Sequence, residues 1–154
     1  MNKIYKVIVD NAGMQQRVLT SGFIHDKGKV LLLKRAETSG FLAGFWEMPG
    51  GKLEFGEDPM CGILREVKEE AGVDCEVVCP FHAWHSVDEY KGVQTHFVEI
   101  DFILKMKQDQ KIVPADGMVD FAWASEDELD NYLMSSQMKK AVKSGFEWVS
   151  KNKS

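Results

Sequence analysis

The stretch Gly51 to Val73, GKLEFGEDPMCGILREVKEEAGV, constrains this chain more than any other part of it. Asp58 is a good N-cap. Pro59 suits the first helical position, where its missing N–H would have no partner anyway, and Gly72 suits the left-handed residue that ends a helix. The spacing predicts a helix from Pro59 to Ala71. At about 100° per residue, Met60, Ile63, Leu64, Val67 and Ala71 fall on one arc, while Glu66, Glu69 and Glu70 fall on another. The first arc is expected to pack, and the second is acidic.

An acidic helix face is usually a solvated charge run. Position argues against that here. Glu69 and Glu70 lie in the last turn, where the helix dipole is already negative, and Glu66 and Glu70 form a like-charge i,i+4 pair. Each conflict costs a few tenths of a kcal/mol, and a cation relieves both. Three convergent carboxylates suit hard Mg²⁺ or Mn²⁺, which take oxygen ligands and keep waters and substrate phosphates in their shell.

The pattern Gly51, five residues, Glu57, seven residues, then Arg65-Glu66-Val67-Lys68-Glu69-Glu70-Ala71-Gly72-Val73 resembles the complete signature of the Nudix hydrolases. Its seven fixed Gly, Glu and Arg positions would match by chance in roughly one window in 10⁸. The preceding Phe45-Trp46-Glu47-Met48-Pro49-Gly50 is similar to the lead-in of the MutT-like branch. The resemblance implies an α/β fold, a Nudix-type α/β/α sandwich with a mixed β-sheet, and Mg²⁺ or Mn²⁺ as cofactor. By that resemblance Glu66, Glu69 and Glu70 bind metal or activate water, and the Gly50 carbonyl adds a metal ligand. Arg65 pairs with Glu57 to brace the loop against the helix. Members differ in which glutamate acts as base, so that assignment stays open.

With 154 residues the chain is expected to form a single domain, 1–154. No apolar run approaches the roughly 20 residues of a membrane span, and the opening MNKIYKVIVDNAG lacks a secretory pattern, so the cytoplasm is the expected location. A net charge of -5 argues against stable nucleic-acid binding, since backbone affinity rests on Lys and Arg. Cys61, Cys75 and Cys79 have no zinc-like spacing; Cys75 and Cys79 are expected to be small buried hydrophobes.

Along the chain, Ile4 to Val9 is expected to be an edge strand. Arg17 to His25 and Lys29 to Arg35 should form a hairpin, with VLLLK covered on both faces. Glu37 to Gly44 is expected to be a mobile surface loop bordering the site, and Phe41, Phe45 and Trp46 are expected to serve packing more than base stacking. Pro49-Gly50-Gly51 is expected to let the backbone turn sharply, because glycine accepts dihedrals other residues refuse. Cys75 to Trp84 reads as a strand with an edge or bulge at Pro80. Asp88 to Gly92 reads as a turn, Thr95 to Met106 as a long strand, Gln108 to Gly117 as a polar loop and Val119 to Ala124 as a final strand. Ser125 should cap a helix over Glu126 to Leu133, and Met138 to Val149 should form an amphipathic helix.

Hydrolysing a phosphoanhydride requires neutralising phosphate oxygens, placing a water in line and taking its proton, and glutamates with a metal can do all three. Outside the motif, Glu99, Asp101 and Asp120 are unranked candidates for a further acid, each expected as a solvated strand residue. His82, His85 and His96 are expected to be structural or exposed. The leading expectation is a nucleoside triphosphate, canonical or oxidised, cut to a monophosphate and pyrophosphate. Alternatives are a diadenosine polyphosphate hydrolase, for which Tyr90 is the one pointer, an ADP-ribose hydrolase, and a non-catalytic domain that senses a nucleotide. The last usually lacks motif glutamates, and this chain keeps them all. Isoprenyl diphosphate isomerisation needs site residues not identifiable here.

Overall fold

Lys27 and Gly28 both take positive φ, 47° and 78°, the backbone of a two-residue hairpin turn whose twist matches the strands it joins. In the computed structural model, which describes residues 13–152, this turn joins β1 (Met14–Asp26) to β2 (Lys29–Arg35). Then come β3 (Trp46–Glu47), β4 (Gly50–Lys52), helix α1 (Pro59–Ala71), β5 (Cys75–Tyr90), β6 (Val93–Met106), β7 (Met118–Ala124), a 3₁₀ turn Glu126–Asn131 and helix α2 (Ser136–Lys151). The strand expected at Ile4 to Val9 lies outside the described residues.

The hairpin pairs only at its tip, His25 with Val30 and Asp26 with Lys29. Lower down, β1 bonds to β4 on that side, with Leu19, Thr20 and Ser21 opposite Lys52, Gly51 and Gly50. On its other side β1 runs parallel to β6 from Met14↔Gln94 to Ile24↔Leu104, while β6 pairs antiparallel with β5. The seven-stranded sheet is therefore mixed, ordered β3-β2-β1-β6-β5, with β4 on β1 and β7 on β2.

Alternation along the central strands builds two cores, one on each face of the sheet. Ile24, Leu31, Leu33, Phe102 and Leu104 pack with Ile63, Val67 and Ala71 of α1. Their neighbours Phe23, Val30, Leu32 and Ile103 pack with Met138, Ala141 and Val142 of α2. That is an α/β/α sandwich. The VLLL run is buried on both faces as its continuous hydrophobicity requires.

Helix α1 has the expected bounds and caps: Asp58 Oδ1 accepts from the Met60 and Cys61 N–H groups, and Gly72 sits at φ 74°. Met60, expected to pack, is exposed, because the first turn extends past the core cluster, whose α1 members begin at Ile63. Pro80 lies among bulges in β5, at the end of the sheet order, where a missing N–H is tolerated. The turn expected over Asp88 to Gly92 is shorter. Asp88 and Glu89 still pair with Thr95 and Gln94, and only Lys91 and Gly92 turn the chain, at φ 52° and 77°.

The segment after Ser125 forms a 3₁₀ turn ending at Asn131, where α-helix to Leu133 was expected; the Glu128 carboxylate accepts from the Ser125 N–H as a capping box requires. The three cysteines are unbonded; Cys75 is buried, Cys79 half-buried and Cys61 exposed. Among the described residues no helix is long and apolar enough to cross a membrane.

Candidate active site

Arg65 is the hub of the motif. Its Nε and one terminal nitrogen donate to Glu57 Oε1 and Oε2 at 2.7 and 2.9 Å, and the latter nitrogen also reaches the Lys52 carbonyl at 3.2 Å. The other terminal nitrogen donates to Glu66 Oε1 at 2.8 Å and Glu69 Oε2 at 3.1 Å. One planar guanidinium thus ties the end of β4, the loop and two glutamates of α1 into a fixed shape. The same fork holds the Glu57 carboxyl well below the usual range, at about 2.

The acidic arc is not a solvated face. Glu66 and Glu70 are buried and Glu69 is exposed. Oxygen atoms of Glu66, Glu69 and Asp116 lie within 4.8 Å of one another. Arg65 uses one oxygen of Glu66 and one of Glu69, so each retains the other for a cation. Asp116 comes from the loop before β7, whose sequence marks it only as a polar connection. Its one local signal, Asp116-Gly117 with both residues at positive φ, marks a turn and carries no hint of a ligand.

Glu70 is directed elsewhere: its Oε2 accepts from the Gly50 N–H at 2.9 Å. Burial pushes its carboxyl up to about 9, with the Gly50 N–H opposing the shift and the charges of Glu47 and Glu66 adding to it. Burial also raises Glu66, against the pull of Arg65. These shifts are those of acids crowded into a low-dielectric site, where a nearby cation favours the ionised forms.

Gly50 and Gly51 do not form the sharp turn expected of them. They lie in β4 without positive φ, paired to β1. What demands glycine is space. A Cβ on Gly50 would run into the Thr20 carbonyl, and one on Gly51 would sit 2.5 Å from Glu66 Cδ. The backbone of β4 is thereby pressed between β1 and the acidic helix.

The same two glycines border a cavity of about 560 Å³. Arg17 and Ser21 of β1, Trp84 and Tyr90 of β5, and Phe97 and Glu99 of β6 form its floor, while Phe41, Phe45, Trp46 and the start of α2 form its rim. Phe41, on the loop expected to border the site, stands 6.3 Å from Phe97 at 25° between planes, and Tyr90 is edge-on to both. Arg17 lies 4.4 Å above the Tyr90 ring.

Glu99 and Asp101 were expected in solvent and are buried, because β6 lies between β1 and β5 and both acids are on its covered face. Asp120 is exposed as expected. His82 is structural, with Nδ1 2.7 Å from Asp101 Oδ2. His85 and His96 face each other near the sheet's far end, 5.3 Å between ring centres.

The NUDIX domain family model matches residues 15–146. The chain belongs to the Nudix hydrolase family. It is 41% identical over 56 residues to an 8-oxo-dGTP diphosphatase of Proteus vulgaris, a match covering 36% of this chain and 50% of that relative. To nucleoside triphosphatase NudI of Escherichia fergusonii it is 26% identical over 136 residues, covering 84% of this chain and 96% of the relative. The crystal structure of a MutT protein from Methanosarcina mazei Go1 superposes with a TM-score of 0.72 at 22% identity, over 90% of this chain and 98% of the other. That likeness concerns the fold. As a Nudix hydrolase the chain carries the complete family motif, and the structure sets that motif beside the cavity bordered by Gly50 and Gly51.

Proposed function

We propose that this Nudix hydrolase cleaves nucleoside triphosphates between the α and β phosphates, with Mg²⁺ or Mn²⁺, giving a monophosphate and pyrophosphate. The observation that carries the reading is the adjacency of two features across β4: the oxygen cluster of Glu66, Glu69 and Asp116, and the cavity bordered by Gly50 and Gly51. The relatives named as an 8-oxo-dGTP diphosphatase and a nucleoside triphosphatase support it. The donor set fits a hard divalent ion, being all oxygen and mostly carboxylate. Glu66, Glu69 and Asp116 would hold it, joined by the Gly50 carbonyl.

Such an ion, when bound, neutralises phosphate oxygens and acidifies a bound water. The protein's own residues do the rest. Arg65 and Glu57 fix the angle between loop and helix, so that the carboxylates stay convergent. Glu70, anchored to the Gly50 N–H through one oxygen, has its other oxygen to take the proton of the attacking water. The aromatic rim holds the base.

A panel of nucleoside triphosphates, ADP-ribose and diadenosine polyphosphates, compared by kcat/KM with Mg²⁺, tests the substrate class. A nucleoside triphosphate is expected to lead. A diadenosine polyphosphate leading by about tenfold or more, equivalent to roughly 1.4 kcal/mol of transition-state preference, would reassign the substrate.

A further inference from the structure

Arg35, the last residue of β2, divides its guanidinium among three partners. Its Nε donates to the Phe41 carbonyl at 3.0 Å, one terminal nitrogen to Ser39 Oγ at 2.9 Å, and the other to Glu47 Oε1 at 2.9 Å. The pairing of β2 with β7 shifts register between Lys34 and Arg35, and such a bulge re-aims the side chain beside it. The fork thereby ties the loop 36–45 to Glu47 of β3, three residues before Gly50.

The start of the same loop is bonded to the turn that carries Asp116. The Ala36 N–H donates to the Gly117 carbonyl at 2.9 Å, and on the other side of Asp116 the Ala115 N–H donates to the Glu70 carbonyl at 2.9 Å. Asp116 sits between these two bonds at φ 53°, a backbone that residues other than glycine seldom adopt. Its carboxylate is therefore placed by α1 on one side and by the loop on the other. Further along, the loop carries Phe41, whose ring leans on Phe97 and Tyr90 at the cavity rim. Residues 37, 38, 40 and 41 are exposed. With so little buried, the order of the loop rests on the Arg35 fork, the ring contacts and a few backbone bonds.

We propose that Arg35 is a positioning residue that couples the loop over the cavity to the metal cluster. A divalent ion on Glu66, Glu69 and Asp116 fixes the Asp116 turn, and through Gly117, Ala36 and Arg35 it fixes the loop that carries Phe41. Two ligands that need the same segment ordered meet that cost once, so each tightens the binding of the other, and the effect is reciprocal. This inference rests on the metal site proposed above.

The test measures amide hydrogen exchange of the nucleotide-free protein with and without saturating Mn²⁺, whose binding is followed by the paramagnetic resonance of the free ion. In wild type the bonded amides of Ala36, Ser39 and Phe45 are expected to exchange about fivefold or more slowly with Mn²⁺. Arg35→Lys keeps the charge beside Glu47 and loses the planar fork. There the slowing at Ser39 and Phe45 is expected to vanish, and Mn²⁺ to bind about fivefold or more weakly, although none of the three Arg35 partners belongs to the cluster. Mn²⁺ that binds wild type with unchanged exchange across 36–45 overturns the coupling and leaves the metal site standing. Slowing and affinity that both survive Arg35→Lys overturn the role of Arg35. Should the variant not fold, exchange in wild type still decides. Wild type that binds no Mn²⁺ overturns the metal site and this inference with it.

Discussion

Arg65 and Glu57 meet through two parallel N–H···O contacts, 2.7 and 2.9 Å, across the loop that leads from β4 into α1. Because the same guanidinium also reaches Glu66 and Glu69, a change at Arg65 alters the spacing of the carboxylates as well as the loop. Lysine keeps the charge and loses the fork. Arg65→Lys is expected to lower kcat about tenfold or more, because small misplacements of reacting groups are costly. Steady-state kinetics check this; an unchanged kcat would mean that the fork is not needed for the geometry.

Glu69→Gln and Glu70→Gln are each expected to lower kcat by about 10² or more, the scale for losing a base or a charge-stabilising group. Neither should weaken the metal-free fold. Glutamine at position 70 can still accept from the Gly50 N–H, and it removes a carboxylate from a buried site and a like-charge pair from the helix. Thermal melts in chelator measure this, and marked destabilisation would contradict the account of the acidic face.

Gly50 and Gly51 should behave differently when each is replaced by alanine. At Gly50 the added carbon meets backbone, the Thr20 carbonyl, which cannot swing aside, so destabilisation of about 1–3 kcal/mol is expected. At Gly51 it meets the Glu66 carboxylate, which can. Gly51→Ala is therefore expected to fold with less loss and to raise the Mg²⁺ concentration needed for half-maximal turnover about tenfold, the lower range for disturbing the surroundings of a metal ligand. Equal behaviour of the two variants would count against this geometry.

Helix α1 was legible to the residue because its caps and its amphipathic spacing agree, and the apolar VLLL run announced a strand buried on both faces. The site was legible where local spacing fixes it: Glu57 with Arg65, and Glu66 with Glu69. It was not legible where it depends on pairing between distant strands. Nothing local to Glu99 or Asp101 says that β6 runs between β1 and β5 and buries them, nor does anything near Asp116 say that its loop returns to α1. Likewise Gly50 and Gly51 looked like turn residues, and only the pairing of β4 with β1 reveals that what excludes a side chain there is steric.

The buried acid pair makes a prediction about pH. Burial raises both Glu99 and Asp101 above ordinary carboxyl values, and the charge of Asp101 adds to the rise at Glu99. The native state then binds more protons than the unfolded chain, so this contribution to stability is complete below the unfolded values near 4 and is lost as pH rises through the raised native ones. Glu70 contributes in the same sense. The melting temperature of metal-free protein is expected to fall between about pH 5 and 8.5, and less steeply in Asp101→Asn, which removes one titrating partner. A melting temperature that rises over this range, or an identical slope in the variant, would contradict the assignment.

The most direct measurement of the central claim is product analysis of a nucleoside triphosphate incubated with the purified protein, with Mg²⁺ and then with excess chelator. The account predicts nucleoside monophosphate and pyrophosphate in equal amounts with Mg²⁺, and no turnover in chelator. Orthophosphate released one group at a time, or full turnover in chelator, would contradict it.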